Sequence, residues 1–334
     1  MVRLFKWSGS LGFLSLILAC SAIFALFNTS YGQNLLRQGI EWEVNRMING
    51  RLSIGQVDGT PWAYMYLRNV SLTLPDSLGG TEVVGADEIR IDASIIRYLF
   101  YGIPVSVLMV DGLRVAYIEN VDGKGMDSIS ALSPPGEAPA NRDPAPFRLP
   151  FSLPELSVAR GQFLYFDPRD STVLRANNFF IRGSAWRPSH IKAIIGTHSA
   201  SFVLNGFHDD ISTIFTHIEV IGDSVKIRDL TLEATYSPPL AFHVNGTITS
   251  IRNRQAALAI KATGNVGSIT RLLGVGKPID GLFSLSASLT NTLADPDIKA
   301  HLESPVFDTD IGSFKLAAID FRYAQDVLTI DRFK

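Results

Sequence analysis

The feature that most constrains this chain is an alternation of apolar and polar residues with a period of two, repeated through its second half. "LAFHVNGTIT" sets Leu240, Phe242, Val244 and Ile248 against Ala241, His243, Asn245 and Thr247. Successive side chains of an extended backbone point to opposite faces, so such a segment makes a half-buried strand. The pattern recurs in "TIFTHIEVI", "AALAIKA", "LFSLSASL", "DIKAHLE" and "AIDFRY", and turns such as "NGF", "SPP", "ADPD" and "DIGS" separate the repeats. The expectation is a mainly β chain, a long antiparallel sheet of about sixteen to eighteen strands with few helices.

A second feature precedes the sheet. From Leu11 to Phe27 runs an uncharged, mainly apolar stretch of 17 residues, with Arg3 and Lys6 before it and no charge after it until Arg37. Three readings share the resulting topology, N-terminus in the cytoplasm and the rest across the membrane. A cleavable signal could end between Ala19 and Ser21, but Ile23, Phe24, Leu26 and Phe27 carry the apolar run past that site. A lipoprotein signal could use "ILAC" and Cys20, yet "SAIFALF" follows where a polar tether belongs. An uncleaved helical anchor needs roughly 17–25 residues. The anchor is the favoured reading, with Leu14, Leu16, Ile17, Leu18, Ile23, Phe24 and Leu26 in lipid.

The rest of the chain is soluble in character. At 46% hydrophobic and 19% charged, the 334 residues are too apolar for disorder and, outside the first segment, too charged for a polytopic membrane protein. The net charge of −2 comes from interspersed signs, and no basic block exists to follow a phosphate backbone, which argues against nucleic acid. Cys20 is the one cysteine, leaving the remainder without a disulfide, a thiolate nucleophile or a cysteine metal ligand.

Residues 1–30 are thus assigned to the cytoplasmic tip and anchor, and 31–132 to an amphipathic helix and a first β portion. In "YGQNLLRQGIEWEVNRMIN" Leu36, Ile40, Val44 and Met47 fall at helical spacing, and "NG" at 49–50 ends the run. Packing on the domain behind is preferred to a free membrane-surface helix, because the face lacks a basic cluster. "SIIRYLFYGIPVSVLMVDGLRVAYIEN" at 94–120 reads as an apolar turn or helix, then two strands about Asp111 and Gly112. Proline lacks the ladder donor, and seven prolines mark 133–154 as a linker or loop. The second β portion, 155–334, holds a short helix in "NVGSITRLLGVGKPIDG" at 265–281 and stops in mid-pattern at "LTIDRFK", which implies continuation.

No motif carries chemistry. "GVGKP" at 274–278 fails as a phosphate loop, since Arg271 stands at the first glycine position and Pro278 at the hydroxyl position. The histidines at 190, 198, 208, 217, 243 and 301 lack zinc spacing. "HDD" at 208–210 and "DPRD" at 167–170 pair carboxylates but are expected in hairpin turns. No G-x-S-x-G or H-E-x-x-H occurs, and a hydrolase therefore ranks last. No catalytic residue, metal or cofactor is assigned.

The order of these parts resembles the AsmA-like and TamB-like envelope proteins. The likeness rests on "GRLSIGQVDGTPWAYMYLRNVSLTL", at Gly55, Val57, Gly59, Leu67, Asn69 and Val70, and on "IRIDASIIRYLFYGIPVSVLMVDGLRV". It continues in "GSITRLLG", "IDGLFSLSASLTNTLADPDIKAHLES" and "FKLAAIDFRYAQDVLTI". The glycine return after "SLTNT" and the family's C-terminal domain are missing. The resemblance implies an inner-membrane-anchored, single-pass protein with its bulk in the periplasm. It also implies a curved, open β-groove whose apolar face conducts phospholipid acyl chains toward the outer membrane. Phe242, Val244, Ile248, Phe283, Leu285 and Leu289 would touch lipid. The alternative is an outer-membrane-protein assembly factor acting with a barrel partner. Taken alone, the strand pattern points rather to a β-sandwich or open sheet, since a sealed core is the commoner use of one apolar face.

Overall fold

The computed structural model describes residues 29–60, 63–93, 105–123, 126–133, 152–169, 171–187, 189–204, 207–234, 240–250, 255–267, 280–292, 295–309, 312–325 and 327–333. The apolar run 11–27 and its anchor residues lie outside this set. No helix among the described residues is long and apolar enough to cross a membrane.

Helix α1 (Ser30–Met47) starts where Thr29 accepts a hydrogen bond from the Gly32 N–H at 3.3 Å, which satisfies one otherwise orphaned donor of the first turn. It ends as the backbone turns extended at Ile48. Leu36 and Ile40 pack on the sheet as the helical spacing predicts, but Met47 is exposed.

Apart from two short 3-10 turns, the rest of the described residues form one curved, almost wholly antiparallel sheet of 17 strands and its connections. β1 (Arg51–Gly59) and β2 (Tyr64–Thr73) form a hairpin whose turn begins at Gly59 with φ +90; a Cβ there would stand 2.2 Å from the Tyr64 carbonyl oxygen. β3 (Glu82–Ala93) adds to β2 and then pairs with β4 (Val105–Asp111) and β5 (Arg114–Ile118), which follow one another end to end. β6 (Leu153–Asp167) runs parallel to both. β7 (Thr172–Arg187) returns, and β8 (His190–Thr197) and β9 (Ser199–Leu204) lie end to end between it and β10 (Phe207–Ile221). From there each strand pairs antiparallel with the one before: β11 (Ser224–Ala234), β12 (Ala241–Ser250), β13 (Gln255–Asn265), β14 (Asp280–Thr292), β15 (Pro296–Thr309), β16 (Gly312–Ala324) and β17 (Val327–Phe333).

The parallel step explains the proline-rich stretch. Parallel neighbours need a connection of a dozen or more residues, and the chain between Ile118 and Leu153 supplies it. The two β portions separated in the sequence reading are therefore consecutive parts of one hydrogen-bonded sheet. The strands about Asp111 and Gly112 are as expected. Residues 94–104 and 268–279 lie outside the described set, and the expected helix of 265–281 is described only at Val266 and Gly267. "HDD" does not form a turn: His208, Asp209 and Asp210 sit within β10 opposite Val203, Phe202 and Ser201. "DPRD" does close a hairpin, at the end of β6.

Strict alternation is broken at several strand-interior residues with left-handed backbone, Asn69, Arg160, Asn178 and Asp229, at φ between 51 and 54. Such a residue turns the strand over, so apolar residues three apart rather than two share a face. Leu67 and Val70 on β2 do so about Asn69; Ile54 and Val57 on β1 and Ala86 and Ile89 on β3 are likewise three apart, with no left-handed residue between them, and all join one hydrophobic cluster beneath α1. A smaller cluster at the edge of this region gathers Leu74, Val83 and Ala131.

The apolar face as candidate functional site

Across β11 to β17 the register stacks like residues on like. One row runs Leu232, Phe242, Ala262, Leu285, Leu302, Ile319. The next runs Leu230, Val244, Ile260, Ala287, Ala300, Phe321, Ile330. A third runs Ile227, Gly246, Leu258, Leu289, Ile298, Tyr323, Leu328. A fourth begins Val225, Ile248, Ala256, Asn291. None of these rows contains a charged residue.

Gly246 in the third row is needed by its backbone: φ is +152, and a Cβ would stand 2.1 Å from the Ala257 carbonyl oxygen. The close approach lets β12 and β13 bend together without a side chain between them.

Mid-strand members of the rows, including Val244, Ile260, Leu285, Ala287, Leu289 and Ile298, are half-buried, while the small side chains of Ala256, Ala262 and Ala300 are buried. The main neighbours of β12 to β16 are the strands hydrogen-bonded to them; no other described helix or sheet packs across these rows as α1 packs on β1. At a strand spacing of about 4.8 Å and a rise of about 3.3 Å per residue, the seven strands and four rows cover roughly 29 by 20 Å. That is near the top of the ~300–600 Å² for the largest apolar patch of an ordinary monomer.

All six residues expected from the sequence to share a face do so. Phe242, Val244, Ile248, Leu285 and Leu289 are half-exposed upon it. Phe283 departs from the rest: at 4% exposure it is buried at one rim with Ala234, Leu240 and Ala262, and Val266 packs against the cluster. Leu240 and Val266, from outside its own alternating stretch, close over Phe283 there, which an alternation pattern does not reveal.

Alternation also missed the extent of the face. A further row leads from β1 through Val57, Leu67, Ile89, Val110, Val158, Ile181 and Ile195 to Thr216 on β10. Its sequence signal is present as apolar pairs three residues apart around Asn, Asp or Arg, as in "LRNV" and "IRDL". Thr216 interrupts the row with a buried hydroxyl that has no hydrogen-bond partner among the described residues.

The opposite face holds the charges. Arg68 bridges Asp58 at 2.8 Å and Glu88 at 3.0 Å, and Arg114 bridges Asp87 at 2.6 Å and Glu82 at 3.1 Å. Arg160 donates to both carboxylate oxygens of Asp111 through its Nε and Nη2 and holds that carboxyl below the usual carboxylate range. Glu219 is likewise held low by His190, then by Lys192 and Arg228. Glu219, Lys192 and Arg228 line an open hollow of about 470 Å³ with Arg182 and His217. Farther along, Arg322 grips Asp297 at 2.8 and 2.7 Å, and His301 lies between Asp320 at 2.5 Å and Glu303 at 2.9 Å. Arg68, Arg114, Arg160, Arg228, Arg322 and His301 each have a carboxylate neighbour, so this surface reads as solvated and largely self-neutralised. No group of His, Cys, Asp or Glu among the described residues could hold a metal ion.

The chain matches no known family profile, no curated protein and no solved structure. What the fold and site define is a class by architecture, a single long curved sheet with one apolar face closed by a helix at one end.

Proposed function

We propose that the apolar face is an open groove that carries lipid acyl chains. In this reading the chain is a non-catalytic conduit of the AsmA-like and TamB-like kind, anchored in the inner membrane by residues 11–27 and conducting phospholipid through the periplasm. The observation that carries it is the uncharged face of β11 to β17 left half-exposed in the middle of its strands, where a sandwich would place a second layer. Contact is assigned to Phe242, Val244, Ile248, Leu285 and Leu289, and no longer to Phe283, which has no open surface.

The energetics suffice. Each methylene taken from water gains about 0.8 kcal/mol, against roughly 4–15 kcal/mol for immobilising a ligand. Covering about five to nineteen methylenes closes that balance, a number one or two acyl chains provide. The headgroup stays wet at the strand ends, so recognition is by chain and not by head.

A photo-crosslinking residue at 244 or 289 in membrane-derived protein will label phospholipid, whereas one at His243 or Ser284, on the charged face, will not. Equal labelling from both faces, or none from either, sinks the proposal.

A second reading has its own support. β17 pairs with β16 alone among the described strands, and Val327, Leu328 and Ile330 on it are exposed. An unpaired apolar edge can accept another strand by backbone hydrogen bonding, as an assembly factor for a barrel protein would. A stable complex with a barrel protein that forms without lipid and is lost on placing proline at Thr329 supports it over the conduit.

A further inference from the structure

Helix α1 has two apolar faces, and the sheet uses one. Leu36 and Ile40 point to the cluster under the helix. Arg37 donates to the Ile54 carbonyl at 3.2 Å, Glu41 accepts from the Ile54 N–H at 2.7 Å, and Asn45 exchanges hydrogen bonds with Leu52. These side chains clamp the helix to β1 along one flank.

On the far side Tyr31, Leu35 and Trp42 stand exposed, the two aromatics at 66% and 63%. At about 100° per residue they fall within roughly 40° of arc, along about 16 Å of helix. Arg46 continues the line and lies over the Trp42 ring at 5.0 Å. Because Arg37, Glu41 and Asn45 fix the rotation of the helix, this arc is held outward.

We propose that the outer arc of α1, Tyr31, Leu35 and Trp42 with Arg46, lies in the headgroup layer of the bilayer that holds residues 11–27. Two observations choose a bilayer as the occupant. Tyrosine and tryptophan with a nearby arginine are the side chains that partition to the membrane–water boundary, apolar body inward and polar tip wet. The 17-residue apolar run ends at Phe27, one residue short of the described chain and two before the cap Thr29. At no more than about 3.6 Å per residue, helix and run cannot be far apart. The helix then lies along the surface, and its clamp to β1 sets the first strands of the sheet at a fixed distance from the lipid. This inference rests on the anchor reading of residues 11–27, while the conduit proposal stands on other residues.

The test uses the full chain, Cys20→Ser, reconstituted in vesicles of phosphatidylethanolamine and phosphatidylglycerol. A polarity-sensitive fluorophore is attached at Trp42→Cys, at Leu35→Cys, or at Gln56→Cys on exposed β1 surface as control. At 42 and 35 the emission shifts to the blue, iodide quenching falls several-fold relative to 56, and lipids with a nitroxide near the headgroup quench more than lipids with one at the chain end. Iodide access at 42 and 35 equal to that at 56 overturns the proposal. Shielding from iodide without quenching by either lipid also overturns it, since the occupant is then protein, either residues 11–27 or a second copy. Lipid crosslinking at 289 is read on the same samples: its loss with 42 still in lipid condemns the conduit alone, and the reverse condemns the surface helix alone.

Discussion

Ile54 and Val57 on β1 and Val244 and Ile260 on β12 and β13 occupy equivalent places, mid-strand on the apolar face of one sheet. α1 lies over the first pair and reduces it to 1% and 3% exposure, whereas the second pair stays half-exposed between its sheet neighbours. One apolar face is therefore a sealed core at one end of the sheet and an accessible surface at the other. A period of two says which face is apolar; what covers that face depends on elements elsewhere in the chain. Around β1 the helix is fixed by backbone-directed hydrogen bonds from Arg37, Glu41 and Asn45. β1 pairs with β2 alone among the described strands and so leaves backbone groups of Leu52 and Ile54 to take the clamp, whereas β12 is paired on both sides by β11 and β13.

The largest difference should appear when a carboxylate is placed in each region. Val57→Asp buries an unpaired charge beneath α1 and should cost about 3–5 kcal/mol, enough to unfold much of the population. Val244→Glu leaves its carboxylate in reach of water and should shift stability by no more than about 1 kcal/mol while abolishing lipid labelling. Urea titration by circular dichroism measures both. Equal collapse of the two variants would show that the second region is sealed after all, and the conduit proposal would fall with it.

A smaller effect sharpens what holds the open region in shape. Gly246→Val places a Cβ where the Ala257 carbonyl oxygen already stands, at a φ that L side chains rarely adopt. The strain should cost about 1–3 kcal/mol, measurable as a lower urea midpoint. Gly264 on the next strand, without a positive φ, meets side-chain atoms of Leu240 and Phe283, so Gly264→Ala should act by crowding the closed rim instead. If Gly246→Val is neutral, the close approach of β12 to β13 is not a requirement of the fold.

These contrasts also mark how far the sequence could be read. Strand number and the sharing of one face by Phe242, Val244, Ile248, Leu285 and Leu289 were legible because β12 to β14 alternate without interruption. The first half was less so. At Asn69, Arg160 and Asn178 a left-handed residue turns the strand over, and a reader counting by two assigns Leu67 and Val70 to opposite sides. The continuous row from Val57 to Ile195 was invisible for that reason. Phe283 shows the complementary limit: its face was right, but its burial depends on Leu240 and Val266, which local alternation cannot place. The helix spacing found Leu36 and Ile40 and misjudged Met47, which it places on their side of the helix but which is exposed.

The cap of α1 offers a test of the sealed end alone. Thr29→Ala removes the acceptor for the Gly32 N–H and should cost about 1 kcal/mol, loosening the helix without touching β11 to β17. Hydrogen exchange should quicken in Gly32 and its neighbours and leave the amides of β13 and β14 unchanged. Lipid labelling at 289 should also be unchanged. Acceleration spread evenly over all strands would mean that the two regions unfold as one unit and the comparison between them is too sharp.

The smallest expected effect concerns the charged face, and its sign differs on the two sides of neutrality. The Arg322 guanidinium on β16 holds Asp297 on β15 below its ordinary value of 3.8, so this contact contributes stability above that value and loses it as pH falls through the lowered one. Hydrogen bonding to Glu303 and then Asp320 raises His301 above its ordinary 6.5, so its contribution is fully present below 6.5 and is lost as pH rises through the raised value. The two windows overlap between the carboxylate range and the imidazole range, and the β15–β16 pairing should be most stable there. All these groups face solvent, so the effect is small and fades with added salt. Thermal melts from about pH 5 to about pH 8.5 should show a shallow fall on the alkaline side that His301→Gln removes, with lipid labelling at 289 the same in both proteins at every pH. A profile unchanged by the substitution would mean the ion cluster does not couple the strands. Labelling that follows the histidine would mean that the two faces of the sheet do not act independently, which the separation of charge from apolar surface requires.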